Sequence, residues 1–248
     1  MKIWSRLAVL LIAFLLGWSM NACSLSPLAS VTDTDRVYQQ RRFHNPEGIG
    51  KFYMGREIAQ VMGHEAAAWL ERSRRDASEQ PKSAIMALNL KPTDIVADIG
   101  AGTGYFTFRI SPLLPKGQVL AVDVQPEMLE LIDFVKTQEQ ITNVKTILAD
   151  VDDPHLPPST VDLALLVDAY HEFEYPREVM EGIWQGLKPG GRVVLVEYRK
   201  ENPLIMIKGL HKMTEKQVRR ELEAVGFVWQ ETNEILPQQH LIMFKKPA

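Results

Sequence analysis

From residue 95 onward, apolar residues come in short runs separated by longer stretches of mixed character. Ile95-Val96-Ala97 opens the series, and residues 118–123, 144–149, 163–167 and 192–198 continue it. Each run is strand-sized, and each interval is long enough for a crossover connection. That rhythm predicts an α/β fold, a mostly parallel sheet flanked by helices on both faces. Residues 227–234 and 241–245 are two further strand-like runs, separated by a short segment around Pro237 with no room for a helix. They predict an antiparallel C-terminal hairpin and bring the sheet to seven strands. A helix is predicted over 214–225, with Thr214 as its cap and Gly226 as its stop. Upstream, Ile58, Val61, Met62, Ala66, Trp69 and Leu70 recur near helical spacing, which predicts a helix over 56–72, and a shorter helix over 82–90 follows Pro81. Residues 51–90 thus read as an N-terminal helical extension and 91–248 as the main domain.

The first residues follow a different pattern. Lys2 and Arg6 precede an apolar run over 7–18 that is too short for a comfortable membrane span, so residues 1–24 read as a targeting segment and are set apart from the fold. Met20-Asn21-Ala22-Cys23 resembles a bacterial lipoprotein box imperfectly. Plain cleavage, lipid attachment at Cys23 and an uncleaved anchor are the three alternatives. The expected location is exported, either periplasmic or membrane-associated, with a cytoplasm-facing anchor as the alternative. Residues 25–50 are polar and broken by Pro27, Pro46, Gly48 and Gly50, as a linker would be.

Composition narrows the chemistry. The 248 residues suffice for one α/β domain with a modest extension. A net charge of -3 supplies no broad electrostatic attraction to nucleic acid, so no nucleic-acid partner is expected. Cys23 is the single cysteine, which excludes an internal disulfide, a cysteine metal cluster and cysteine-based catalysis. The six histidines show no helical metal-ligand spacing, and no metal is expected.

The strand at 95–97 runs into Asp98-Ile99-Gly100-Ala101-Gly102-Thr103-Gly104, where glycines would let the backbone approach a ligand without Cβ interference. Taken alone, the turn fits either a ligand site or a tight strand-to-helix junction. A dinucleotide fingerprint would need its third glycine where Tyr105 stands. The spacing instead resembles the first motif of class I S-adenosylmethionine-dependent methyltransferases. Three further landmarks resemble that family in order: Ala121-Val122-Asp123-Val124, Leu148-Ala149-Asp150-Val151, and Asp168 to Phe173 followed by Leu187-Lys188-Pro189-Gly190-Gly191. The resemblance covers residue 91 to the C-terminus. It implies S-adenosylmethionine as cofactor, held by Asp98, Gly100, Ala101, Gly102 and Gly104 in the turn. Asp123 and Val124 would serve the ribose, Met128, Asp150 and Val151 the adenine, and Asp168 the cationic end.

The resemblance further implies in-line methyl transfer near the end of the fourth strand, where Asp168, Tyr170, His171 and Glu172 cluster. His171 is the candidate general base because its unperturbed pKa lies near neutrality, and Asp168 is the second catalytic candidate. In the N-terminal extension, Tyr53, Arg56 and His64 are candidate lid contacts. No motif specifies the acceptor; a small molecule is expected, with membrane attachment through Cys23 as a further possibility. The competing reading is a non-catalytic S-adenosylmethionine-binding or interaction module of the same fold.

Overall fold

A computed structural model describes residues 37–248. The targeting segment, Cys23 and the first part of the expected linker lie outside the described residues. Among the described residues, no helix is long and apolar enough to cross a membrane.

The expected sheet is present. Its strands are β4 (Ile95–Ile99), β5 (Gln118–Asp123), β6 (Val144–Leu148), β7 (Val161–Val167), β8 (Leu187–Tyr198), β9 (Val228–Asn233) and β10 (Gln239–Lys245), in the order β6-β5-β4-β7-β8-β10-β9. The pairs from β6 to β8 are parallel. The strand β10 inserts antiparallel between β8 and β9, so the terminal hairpin closes the sheet as the chain pattern predicts. Strand residues alternate between two cores. Val96, Leu163, Leu165, Val194 and Val196 face one, while Ala97, Ala164, Leu166, Val193 and Leu195 face the other.

Helices cover both faces. Ala84 and Ile85 of α3 (Pro81–Ala87), Ile110 of α4 (Thr107–Ile110), and Leu129 and Ile132 of α5 (Pro126–Gln138) fill the first core. The second takes Val179, Met180 and Ile183 of α6 (Pro176–Gly186) and Val218 and Leu222 of α7 (Glu215–Val225). The Thr214 side chain accepts a bond from the Gln217 amide, and Gly226, at φ 111°, ends the helix in the left-handed region. From β4 the chain moves outward through β5 to β6, then returns to place β7 on the other side of β4. That reversal opens a crevice at the carboxyl ends of the strands.

The N-terminal extension departs from expectation. Instead of a helix over 56–72 there is a small antiparallel sheet of β1 (Tyr38–Gln40), β2 (Gly48–Tyr53) and β3 (Arg56–Ala59). Helix is confined there to short pieces, α1 (Ala67–Leu70) and α2 (Arg75–Glu79). Part of the expected linker over 25–50 is therefore strand. Met54 and Gly55 both have positive φ, 45° and 90°, and form the two-residue turn joining β2 to β3. That geometry suits a hairpin but is paid for by a non-glycine residue at Met54, which conceals the usual turn signal. Ile58 packs with Tyr38 and Tyr53 under this sheet, whereas Val61, Met62 and Leu70 line cavities. Near-helical spacing arose from two unrelated apolar surfaces.

The small sheet is fastened to the main domain by buried charge. Arg56 Nε donates to Glu221 Oε1 and Oε2 of α7 at 2.8 and 3.1 Å, and Arg56 Nη1 donates to the His171 carbonyl at 3.2 Å. Glu221, itself fully buried, also accepts from Tyr170 Oη at 2.8 Å and Gln217 Nε2 at 2.5 Å. Removing one partner leaves the other charged and buried, which costs far more than replacing the pair. Glu221→Ala is expected to destabilise the protein by about 3–5 kcal/mol in chemical denaturation, and Arg56→Met with Glu221→Leu to recover most of that loss. Equal destabilisation by the single and double variants would contradict this account.

Candidate active site

The glycine turn leaves β4 at the crevice. Gly100 and Ala101 donate their amides to the Val122 carbonyl of β5 at 2.8 and 3.0 Å, which folds the loop back over the neighbouring strand. Gly100, Gly102 and Gly104 have φ of 73°, 54° and 83°, a region costly to other residues. A Cβ at Gly100 would stand 2.7 Å from the Ala169 Cβ, and one at Gly102 2.7 Å from Leu70 Cδ1. The loop is therefore closely enclosed as well as left-handed.

Asp123 ends β5 beneath this loop. Its Oδ2 accepts the Gly102 amide at 2.8 Å and its Oδ1 the Gln125 amide at 2.9 Å. Burial raises its pKa, opposed by those backbone donors. Each carboxylate oxygen retains acceptor capacity for a ligand hydroxyl. Asp98 is buried deeper, with Thr107 Oγ1 donating to its Oδ2 at 2.6 Å. Burial pushes Asp98 up to about 6, against the opposing Thr107 bonds.

Two cavities meet here. The first is lined by Gly100, Gly102, Asp123, Val124, Met128, Asp150, Val151 and Asp168, among others. Most of the residues singled out in the sequence thus converge. Asp98, Ala101 and Gly104 do not line it: Asp98 braces the loop through Thr107, Ala101 joins the core, and Gly104 packs near Phe108 and Ile132. Met128 is buried, while Asp150 is exposed and pairs with His155 Nε2 at 3.1 Å. The second cavity is lined by Trp69, Arg72, Arg75, Tyr198, His171 and His211, among others. Asp168, Glu172, Val61, Met62 and Leu70 line both.

Asp168 follows β7 at φ 49°. Gln239 Nε2 of β10 donates to its Oδ2 at 2.8 Å, while the buried Oδ1 has no partner among the described residues. Burial, reinforced by the nearby Glu197 carboxylate, pushes Asp168 up to about 7. Its neighbours form a compact charged group. His171 Nδ1 lies 2.7 Å from Glu197 Oε2 of β8 and His171 Nε2 lies 3.1 Å from His211 Nδ1. Glu172 Oε1 is 3.2 Å from His211 Nδ1, and its Oε2 accepts the Met62 amide at 3.1 Å.

Burial pulls the His171 pKa down, but the surrounding Glu197 and Glu172 carboxylates outweigh it and push it up to about 10. Glu172 is held at about 2: burial opposes this, and the bonds from His171 and His211 overcome it. The candidate general base at position 171 is thus set among carboxylates that raise its pKa above the usual imidazole range. His171 is enclosed and bonded at both ring nitrogens, to Glu197 and to His211.

The expected lid contacts are corrected. Tyr53 lies in the core of the small sheet, Arg56 is tied to Glu221, and His64 is exposed, 4.0 Å from Glu127. The residues that do roof the cavities are Val61, Met62 and Leu70, with Gln125 Nε2 donating to the Met62 carbonyl at 3.2 Å. Sequence reasoning also missed Glu197, Gln239 and His211. For Glu197 a signal existed, since an acid ends the apolar run Val193-Val194-Leu195-Val196 in a buried strand. Gln239 and His211 carry none, because they reach the site from distant segments.

A mostly parallel, doubly wound sheet with a crevice at its switch point places the protein in the α/β class whose ligand sites lie at the carboxyl ends of the strands. Residues 90–240 match the family described as a methyltransferase domain. The chain belongs to that family, within the class I S-adenosylmethionine-dependent methyltransferase superfamily. An uncharacterized methyltransferase-like protein of Schizosaccharomyces pombe is 32% identical over 139 residues, covering 56% of this chain and 52% of that protein. The ubiquinone/menaquinone biosynthesis C-methyltransferase UbiE of Ectopseudomonas mendocina is 27% identical over 119 residues, 47% of this chain and 46% of that protein. The chain spans about half the length of these curated relatives. The crystal structure of a SAM-dependent methyltransferase from Aquifex aeolicus superposes with a TM-score of 0.70 at 22% identity, over 75% of this chain and 99% of that one. This last likeness is one of fold.

The raised pKa of Asp98 has a definite sign. The unfolded chain loses this proton near pH 4 and the folded chain near 6, so the contribution of Asp98 to stability is present below pH 4 and lost as pH rises through about 6. Asp98→Asn is therefore expected to gain on the parent between pH 4 and pH 7, by on the order of 2–3 kcal/mol. Chemical denaturation of the ligand-free protein across that range checks it. A stability difference independent of pH would refute the assignment.

Proposed function

We propose that this protein transfers a methyl group from S-adenosylmethionine to a small-molecule acceptor held in the second cavity. The observation that carries the reading is Asp168, a part-buried residue with one enclosed, unpartnered carboxylate oxygen in the wall common to both cavities. An orphaned buried carboxylate oxygen calls for a donor or a cation. The other residues fit the cofactor as well. Gly100 and Gly102 line the first cavity without a Cβ, Asp123 has acceptor capacity for two ribose hydroxyls, and Met128, Val124 and Val151 offer apolar surface for a base.

When bound, the cofactor supplies an electrophilic methyl group on a positively charged sulfur. The residues of the chain have to position the reactants and keep water out. Asp168 would stand beside that charge, and a cationic ligand there would favour its ionised form despite burial. Val61, Met62 and Leu70 cover both cavities and supply the apolar roof. The relative UbiE is named for C-methylation in quinone biosynthesis. That name supports a small acceptor here without specifying its atom.

Calorimetry with S-adenosylmethionine, S-adenosylhomocysteine and NAD tests the reading. The two adenosyl ligands are expected to bind and NAD is not; failure of both would overturn it. Asp123→Ala is expected to weaken binding of both adenosyl ligands by about 1–3 kcal/mol, through unpaired ribose hydroxyls. Asp168→Asn should weaken S-adenosylmethionine more than S-adenosylhomocysteine, because only the former carries the sulfonium charge. Equal losses for the two ligands would remove Asp168 from the cationic centre.

A further inference from the structure

The group formed by His171, Glu172 and His211 lies outside the residues that the cofactor reading uses. His171 and Glu172 belong to a 3-10 turn, Tyr170–Glu172, just after β7, and His211 ends another, Gly209–His211. Chain separation hides the cluster, since two of its members are adjacent and the third is forty residues on. The fold brings His171 Nε2, His211 Nδ1 and Glu172 Oε1 together at separations of 3.1, 3.2 and 3.7 Å. Three donors about 2.1 Å from a common ion, at tetrahedral or octahedral angles, stand roughly 3.0–3.4 Å apart. The observed triangle is within a few tenths of an ångström of that arrangement.

The surroundings of the triangle are those of a ligand set. Glu197, fully buried on β8, bonds His171 Nδ1 at 2.7 Å. A carboxylate accepting from Nδ1–H leaves a lone pair on Nε2, directed at His211 and Glu172, and such outer carboxylates orient metal-bound histidines. Glu197 is fixed in turn by the Tyr170 amide at 3.0 Å. Glu172 is held from its other oxygen by the Met62 amide, which turns Oε1 toward the two imidazoles. His171 is almost fully buried, whereas His211 and Glu172 are partly open, and all three line the second cavity. A cation on this triangle would have one protein face and one face open to the cavity.

We propose that His171, Glu172 and His211 form a two-histidine, one-carboxylate site for a divalent first-row transition cation, with its open positions directed into the second cavity toward an oxygen donor of the acceptor. The mixed nitrogen and oxygen set favours zinc-like ions over magnesium or calcium, which prefer all-oxygen surroundings. Glu197 is a positioning residue that acts through His171. The cation site itself stands on the geometry alone, while the role of its open face rests on the methyl-transfer reading above.

Full-length protein stripped with a chelator and titrated with Zn2+ or Co2+ tests this. One equivalent is expected to bind, with Co2+ giving visible d–d absorption. His211→Ala and Glu172→Gln should each weaken binding at least about 30-fold, and Glu197→Gln about 10-fold with the stoichiometry kept at one. His64→Ala, which alters an exposed histidine that lines neither cavity, should bind as the parent does. Acetohydroxamate, a bidentate oxygen probe, should shift the Co2+ spectrum of the parent. No bound ion, or binding unaltered in His211→Ala and Glu172→Gln, would overturn the site, and a spectrum insensitive to acetohydroxamate would overturn its open face. His211 is partly exposed, and retention of S-adenosylmethionine binding by His211→Ala would show that the variant is folded. Cation binding without adenosyl-ligand binding would sink the methyl-transfer reading alone. The reverse result would sink the cation site alone.

Discussion

Four carboxylates stand at or just beyond the carboxyl ends of neighbouring strands, and the structure around the crevice is organised by the need to satisfy them with little water. Asp98 ends its run near the close of β4, Asp123 closes β5, Asp168 follows β7 and Glu197 lies near the end of β8. All four are buried or nearly so. An isolated carboxylate in such surroundings either finds donors or stays protonated. Each meets this constraint differently. Asp123 takes backbone amides, Asp98 takes a hydroxyl, and Glu197 takes an imidazole and an amide. Asp168 takes one amide side chain and is left half satisfied. Among these four carboxylates, Asp168 is the one with an enclosed oxygen that has no hydrogen-bond partner among the described residues.

The same constraint explains the tie between the small N-terminal sheet and the main domain. Arg56 and Glu221 are both buried, and each would be intolerable without the other. Arg56 also reaches the carbonyl of His171, so the fastening of the extension and the backbone of the charged cluster are physically joined. Tyr170, next in the chain to His171, donates to Glu221 from the other side. The roof over the cavities is therefore anchored by contacts that also hold the site floor, and Met62 completes the link by donating to Glu172.

Polar partners reach the site from the C-terminal part of the chain, well beyond the strands that form the crevice. Gln239 comes from the strand that inserts antiparallel into the sheet, and His211 from a turn before α7. The terminal hairpin is thus more than a closing edge, because without β10 beside β8 Asp168 would lose its one donor. A parallel arrangement alone aligns strand ends but supplies few side chains from the far end of the chain.

What the sequence by itself determined was the sheet, its terminal hairpin, the helix over 214–225 and the ligand turn from Asp98 to Gly104. These follow from local periodicity, from caps such as Thr214 and Gly226, and from glycines whose backbone freedom is an intrinsic property. The convergence of Asp123, Met128, Asp150 and Asp168 was legible too, because each sits at a strand end or within a few residues after one, and parallel strands bring such ends together. Tertiary structure alone decided the rest. The spacing of Ile58, Val61, Met62 and Leu70 looked helical because it merged a sheet core with a cavity roof, and only the fold separates those surfaces. The state of His171 depends on Glu197, and the grouping with His211 depends on a distant turn, so neither follows from spacing along the chain. Charge states and ligand sets are set by distances in space, which a linear pattern does not encode when the partners come from separate elements.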